Sequence, residues 1–172
     1  MADRLYIQPP EIVELDDSEK VIFLAGPIQG APDWQSTAIQ TIHDIDSSIV
    51  VASPRKDYGE GEFVYEAQVD WETRYLGRAA QNGVVLFWLT KQSEPTPGRA
   101  YGQTSRFELG EWKANHVHDG VPLVVGVEQE FGNIRYITRR LSQDCPNVPI
   151  THSLVETCEV AARLALETKQ GN

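Results

Sequence analysis

The chain has 172 residues and carries 15 Lys and Arg against 25 Asp and Glu, a formal net charge of −10 at pH 7. That length suits one domain with a single substantial core. The charge argues against a nucleic-acid backbone or an anionic membrane as partner, because both call for a basic face, but leaves a small nucleotide or nucleoside admissible. No basic-then-apolar leader and no apolar run of membrane-spanning length is visible. In such a chain Cys145 and Cys158 read as reduced core thiols, and a cytoplasmic location is expected.

Residues 1–20 mix Pro9-Pro10 with an acidic run and read as an N-terminal arm or edge segment rather than core. A single domain is expected over 21–168, followed by a frayed tail at 169–172. Lys20–Gly26 is a continuous apolar run ended by Gly26-Pro27, the pattern of a strand buried on both faces. The loop Gly26–Pro32 follows, and Asp33 can cap a helix whose apolar face is Trp34, Ala38, Ile42 and Ile45. Ile49–Ala52 is a second strand, closed by Ser53-Pro54-Arg55. Tyr65–Gln81 reads as a helix with Val69, Leu76 and Ala79/Ala80 inward and Glu72 on the same stripe. An acid there either faces a cleft, with a raised pKa suited to a proton donor, or pairs at the rim with Arg74 or Arg78.

Gly83–Leu89 is the third strand. A Pro- and Gly-rich loop then leads to Thr104–Trp112, the start of a helix to about His116. Val121–Val127 and Val148–Thr151 complete five strands. Helices are expected at Asn133–Leu141, with Ile134, Ile137 and Leu141 on one side, and at Ser153–Thr168. The last has Leu154, Cys158, Ala161/Ala162 and Ala165 inward and a capping box at Ser153-x-x-Glu156. Apolar strands alternating with amphipathic helices imply an α/β fold: a doubly wound three-layer sandwich on a five-stranded parallel sheet, flavodoxin- or Rossmann-like. Ligands bind such sheets at the carboxyl ends of the strands. Those ends are Gly26–Pro32, Ser53–Glu62 and Leu89–Glu108.

Glu108 has two readings. Ser105-x-x-Glu108 has capping-box spacing, in which the carboxylate satisfies a backbone N–H. The fold equally puts Glu108 where a catalytic carboxylate belongs. The first loop lacks both the Walker ending and the Gly-x-Gly-x-x-Gly pattern, so no cofactor is expected. His116-x-His118 suits a helix C-terminus better than a metal, and no metal is expected. Trp34 and Trp71 flank the candidate segments and could stack a flat, neutral ligand.

The chain resembles the nucleoside 2-deoxyribosyltransferases. The matching stretches are Ile22–Ile28 with Trp34, Ser53-Pro54-Arg55, Gln68–Glu72 with Leu76, Val85–Leu89, and Thr104-x-x-x-Glu108-Leu109-Gly110-x-Trp112, together spanning about Val21 to Val127. The resemblance implies a flavodoxin-like sheet, small-molecule nucleosides and nucleobases as partners, and a homo-oligomer whose sites are completed across subunits. It implies that Glu108 attacks C1′ of a deoxynucleoside to give a covalent glycosyl–enzyme, with the helix N-terminus favouring its anion. Glu72 is assigned to the departing base. Gly26, Pro27, Ile28, Trp34, Asp70, Trp71, Tyr101, Gln103 and Thr104 are expected to bind substrate. Tyr75 and Gly102 stand where many relatives carry Asp. These departures keep two alternatives open: a nucleoside or nucleotide N-glycoside hydrolase, and a non-catalytic nucleoside-binding protein.

Overall fold

In the computed structural model, residues 6–57, 59 and 61–167 are described. Six parallel strands form one sheet in the order β1-β3-β2-β4-β5-β6: Tyr6–Ile7, Val50–Ala52, Val21–Ala25, Gly83–Leu89, Leu123–Val127 and Ile150–Thr151. Five helices cover it: α1 (Trp34–Ile45), α2 (Tyr65–Asn82), α3 (Gln103–Asp119), α4 (Ile134–Asp144) and α5 (Leu154–Glu167). Every residue of β2, β3, β4 and β5 is buried. Their unbroken apolar runs therefore follow from helices on both faces. One face packs Phe23, Phe87 and Val125 against Trp71, Tyr75 and Leu109. The other packs Ile22, Leu86 and Val124 against Trp34, Ile42 and Cys158. Both cysteines are free and buried.

The sixth strand corrects the reading of the arm. Tyr6–Ile7 pairs with Val51–Ala52, and Ile7 is buried in the core. A two-residue strand carries no periodicity to detect. The rest of the arm lies along α2. Trp71 Nε1 donates to Glu11 O at 2.8 Å, Val13 N donates to Tyr75 Oη at 2.8 Å, and Arg74 pairs with Glu14 at 2.8 Å. Asn82 Nδ2 and Arg78 Nη2 both reach Glu19 O. Residues 169–172 lie outside the described residues.

The inner face of α2 also differs from the expected stripe. Trp71, Tyr75, Leu76, Ala79 and Asn82 are buried, whereas Val69 is exposed. Two aromatic rings 4.7 Å apart fix the helix's rotation more strongly than one valine. In α1, Ile45 is likewise exposed. In α5 the expected face is buried at Cys158, Ala161, Ala162 and Ala165, and Glu156 N reaches Ser153 Oγ at 3.4 Å.

Tyr75 thus serves the arm. Replacing Tyr75 with Phe removes a hydrogen bond to Val13 while keeping the ring. The expected cost is about 1 kcal/mol. It should appear as a lower urea midpoint with an unchanged slope; an unaltered midpoint would show that Tyr75 does not anchor the arm.

Candidate active site

The site forms where β2 and β4, neighbours in space, send their chains to opposite sides of the sheet. This is the topological switch point of a doubly wound sheet. β2 is followed directly by Gly26, whose φ of +151° and surroundings exclude a side chain. A Cβ there would lie 2.3 Å from Trp88 O and 2.9 Å from the Trp34 ring. The absent side chain lets the backbone turn directly over the strand end.

A cavity of about 300 Å³ opens above this turn, lined by Phe23, Gly26, Ile28, Pro54, Phe63, Glu72, Thr104, Ser105 and Glu108, among others. Glu72 comes from α2 and Glu108 from α3, so two helices on the same face bring both carboxyls to one space. Gln68, one turn before Glu72, donates from Nε2 to Glu72 Oε1 at 2.8 Å and to Pro54 O at 3.2 Å. The amide thereby ties the Glu72 carboxyl to the end of β3. The rim pairing does not occur, because Arg74 engages Glu14 and Arg78 engages backbone carbonyls of the arm.

Glu108 is not a capping residue. α3 begins at Gln103 after Gly102 in the left-handed conformation, and no side chain caps it. Glu108 is therefore in the second turn, and Ser105 is buried. No hydrogen bond or ion pair reaches the Glu108 carboxyl among the described residues. Burial first, then the negative fields of Glu72 and Glu111, push its pKa up to about 7. Burial also raises Glu72, with the Gln68 hydrogen bond opposing it. The expected stabilisation of the Glu108 anion by a helix N-terminus is overturned, because that effect fades beyond the first turn while desolvation does not.

The other expected contacts divide. Pro27, Tyr101, Gln103 and Thr104 line an adjoining pocket of about 250 Å³ that shares Ile28, Gln29, Thr104 and Ser105 with the Glu108 cavity. Tyr101 is held there by its hydroxyl donating to Thr90 O at 2.9 Å. Gly102 lines the same pocket, and a Cβ on it would meet Phe131 at 3.3 Å. Trp34 and Trp71 do not line either space. Trp34 is buried against the opposite face of the sheet and donates from Nε1 to Pro27 O at 2.8 Å, and Trp71 is buried beneath the arm. Asp70 is exposed and lines neither pocket. Position 70 faces away because Trp71 and Tyr75 set the rotation of α2.

Sequence reasoning missed Phe63, Phe23 and Gln68 as contributors. Phe63 is a half-exposed aromatic in the loop before α2, and an exposed Phe beside a strand-end loop was the available signal. His116 has a structural use: its Nδ1 lies 2.7 Å from Val121 O in the last turn of α3. No group of metal-binding side chains occurs among the described residues. No helix there is long and apolar enough to cross a membrane.

Comparison with known families decides the relationship. A family model described as nucleoside 2-deoxyribosyltransferase like matches residues 19–131, most of the chain. The chain belongs to this family. No curated protein matches it. The matched span includes β2 to β5, α1 to α3, both carboxyls of the cavity and the strand-end glycine.

A carboxyl raised in the folded state lowers stability as it ionises. Glu108 has an ordinary value of 4.5 and a folded value of about 7. Its contribution is therefore fully present below 4.5 and is lost as pH rises through 7. Replacing Glu108 with Gln should leave stability unchanged near pH 4 and raise it by about 2 kcal/mol at pH 8, after allowance for partial solvent screening. Chemical denaturation at both pH values measures this; a loss at both would restore the capping role.

Proposed function

We propose that the chain is a nucleoside 2-deoxyribosyltransferase of this family that works through a covalent deoxyribosyl–Glu108 ester. The observation that carries this reading is the convergence of Glu108 and Glu72 on one cavity at the carboxyl end of β2. In the first step a Glu108 carboxylate oxygen attacks C1′ of a 2′-deoxynucleoside. The C1′–N bond breaks, its electron pair goes to the departing base, and the Glu72 carboxyl protonates that base. In the second step a nitrogen of the incoming base attacks C1′. The ester bond to Glu108 breaks, and the proton displaced from the base returns to Glu72. Two inversions give net retention.

The electrostatics suit this division of labour. Two carboxyls in one desolvated cavity resist ionising together, so the pair holds one proton near neutrality. In the empty site Glu108 is itself pushed up to about 7. Positive charge developing at C1′ favours the Glu108 anion and leaves the proton to Glu72. Activity should accordingly require one proton on the pair, rising with pH as the first carboxyl ionises and falling as the last proton leaves at about 7. The adjoining pocket with Tyr101, Gln103 and Thr104 supplies polar contacts for sugar and base. Phe23 and Phe63 supply apolar walls. Phe63, Val64, Tyr65 and Phe107 are exposed on the loop and helices around the cavity, which supports a homo-oligomer in which a second copy covers them.

One observation favours hydrolysis as a second reading. Gly102 presents no side chain to the adjoining pocket, so the sugar-contacting Asp that the resemblance implies for many relatives has no counterpart there. Incubation with a 2′-deoxynucleoside and a different free base, followed by chromatography, separates the readings. A new deoxynucleoside is expected. Free base and deoxyribose alone, with acceptor in excess, would establish the hydrolase. Glu108→Ala should lower the rate by about 10³-fold or more while the protein stays folded. Turnover surviving in that variant would remove Glu108 from the mechanism, whereas no turnover by folded wild-type protein across purine and pyrimidine donors would leave a binding protein.

A further inference from the structure

A third pocket, of about 310 Å³, lies on the other side of the loop that follows β3. It forms where α1 begins and where β1 and β3 end. Gln35, only 1% exposed, lines it. Arg55 Nη1 donates to Gln35 Oε1 at 3.2 Å, so the carbonyl of the amide is fixed and Nε2 is the remaining donor. That Nε2 is buried with no hydrogen-bond partner among the described residues. Buried amide donors are nearly always paired, because an unpaired one forfeits its hydration without return.

The neighbouring groups supply the rest of a cradle. Arg55 is held in place by Nη1 donating to Pro32 O at 3.0 Å and by Nε lying 3.8 Å from Asp33 Oδ1. Its Nη2 makes no hydrogen bond among the described residues. Asp33 is already engaged, accepting from Ser36 N at 3.1 Å and from Ser36 Oγ at 2.6 Å as the cap of α1. Lys56 and Asp57 line the same pocket and offset each other in charge. Selection there rests on directed donors rather than on net field.

We propose that this pocket binds a small oxyanion group, a phosphate or a carboxylate, whose oxygens accept from Gln35 Nε2 and Arg55. The site is separate from the Glu108 cavity and does not depend on its chemistry. Pro54 lines the Glu108 cavity, while its neighbours Ser53 and Arg55 line this pocket. The two spaces thus lie back to back across one loop.

The test is thermal unfolding of the full chain and of Gln35→Leu. Each is measured with millimolar inorganic phosphate, with acetate, and with sodium chloride at matched ionic strength. One oxyanion is expected to raise the wild-type midpoint by about 3 °C over chloride, and Gln35→Leu should lose that rise. Ligand-free Gln35→Leu should melt within about 2 °C of wild type, since shedding the unpaired donor offsets the lost Arg55 contact. A response to phosphate but not acetate assigns a phosphate ligand, and the reverse assigns a carboxylate. Equal responses of variant and wild type, or none in wild type, would overturn the proposal. So would a ligand-free variant melting well below wild type, because the amide would then already be paired. Should Gln35→Leu not fold, Arg55→Gln carries the same comparison from a partly exposed position. The side-chain amide resonance of Gln35 should also shift with the oxyanion while that of Gln68 stays fixed.

Discussion

The structure turns on the contact between β2 and β4 at their carboxyl ends. Five residue pairs, Val21–Gly83 through Ala25–Phe87, hold the two strands in register. At the next position Gly26 turns over Trp88 O with no room for a Cβ. These strands are central in the sheet but distant in sequence, with β3 and α2 intervening. Their pairing makes the switch point, sends the chains after them to opposite faces, and opens the crevice between. A side chain at Gly26 would separate the strands at the place where the cavity begins.

That crevice then receives two acids that the fold does nothing to neutralise. α2 and α3 pack on the same face of the sheet, and each contributes one glutamate to the cavity. Most acids of the chain are solvated or paired, as Asp144 is with Lys113 and Arg140. Among the described residues Glu108 has neither an ion pair nor a hydrogen bond, and it is held against its own ionisation. A desolvated carboxyl without a structural partner is what the proposed nucleophilic role of Glu108 calls for. Gln68 restrains the second acid by linking it to Pro54, so the cavity has one tethered carboxyl and one untethered.

The arm belongs to the same logic. Its tie to α2 runs through Trp71, Arg74, Tyr75, Arg78 and Asn82, along one side of that helix. Because those residues hold the helix from the arm side, Glu72 and Gln68 are set toward the cavity and Asp70 is set toward solvent. The rotation of α2 is thus fixed by contacts remote from the chemistry, and Tyr75 acts there instead of in the site.

Much of this was legible in the sequence for simple reasons. Continuous apolar runs ended by Gly or Pro marked the central strands, and their alternation with helices set the parallel sheet, because only a two-face cover permits such runs. The strand-end rule then pointed to the segments around Gly26, Pro54 and Glu108, and Glu72 stood out as an acid near an apolar stripe. What one-dimensional pattern could not contain was rotation and depth. The spacing Ser105-x-x-Glu108 fitted a cap, and only the start of α3 at Gln103 moved Glu108 into the second turn. Trp34 and Trp71 adjoin the right segments, yet each ring is drawn into a core by an indole hydrogen bond and its neighbours. β1 was invisible because two residues acquire a strand only by pairing with β3. The unpaired amide of Gln35 likewise exists only where α1, β3 and the Arg55 loop meet. Periodicity records which residues avoid water; which polar groups are left facing one another inside a cavity depends on the relative placement of elements far apart in the chain.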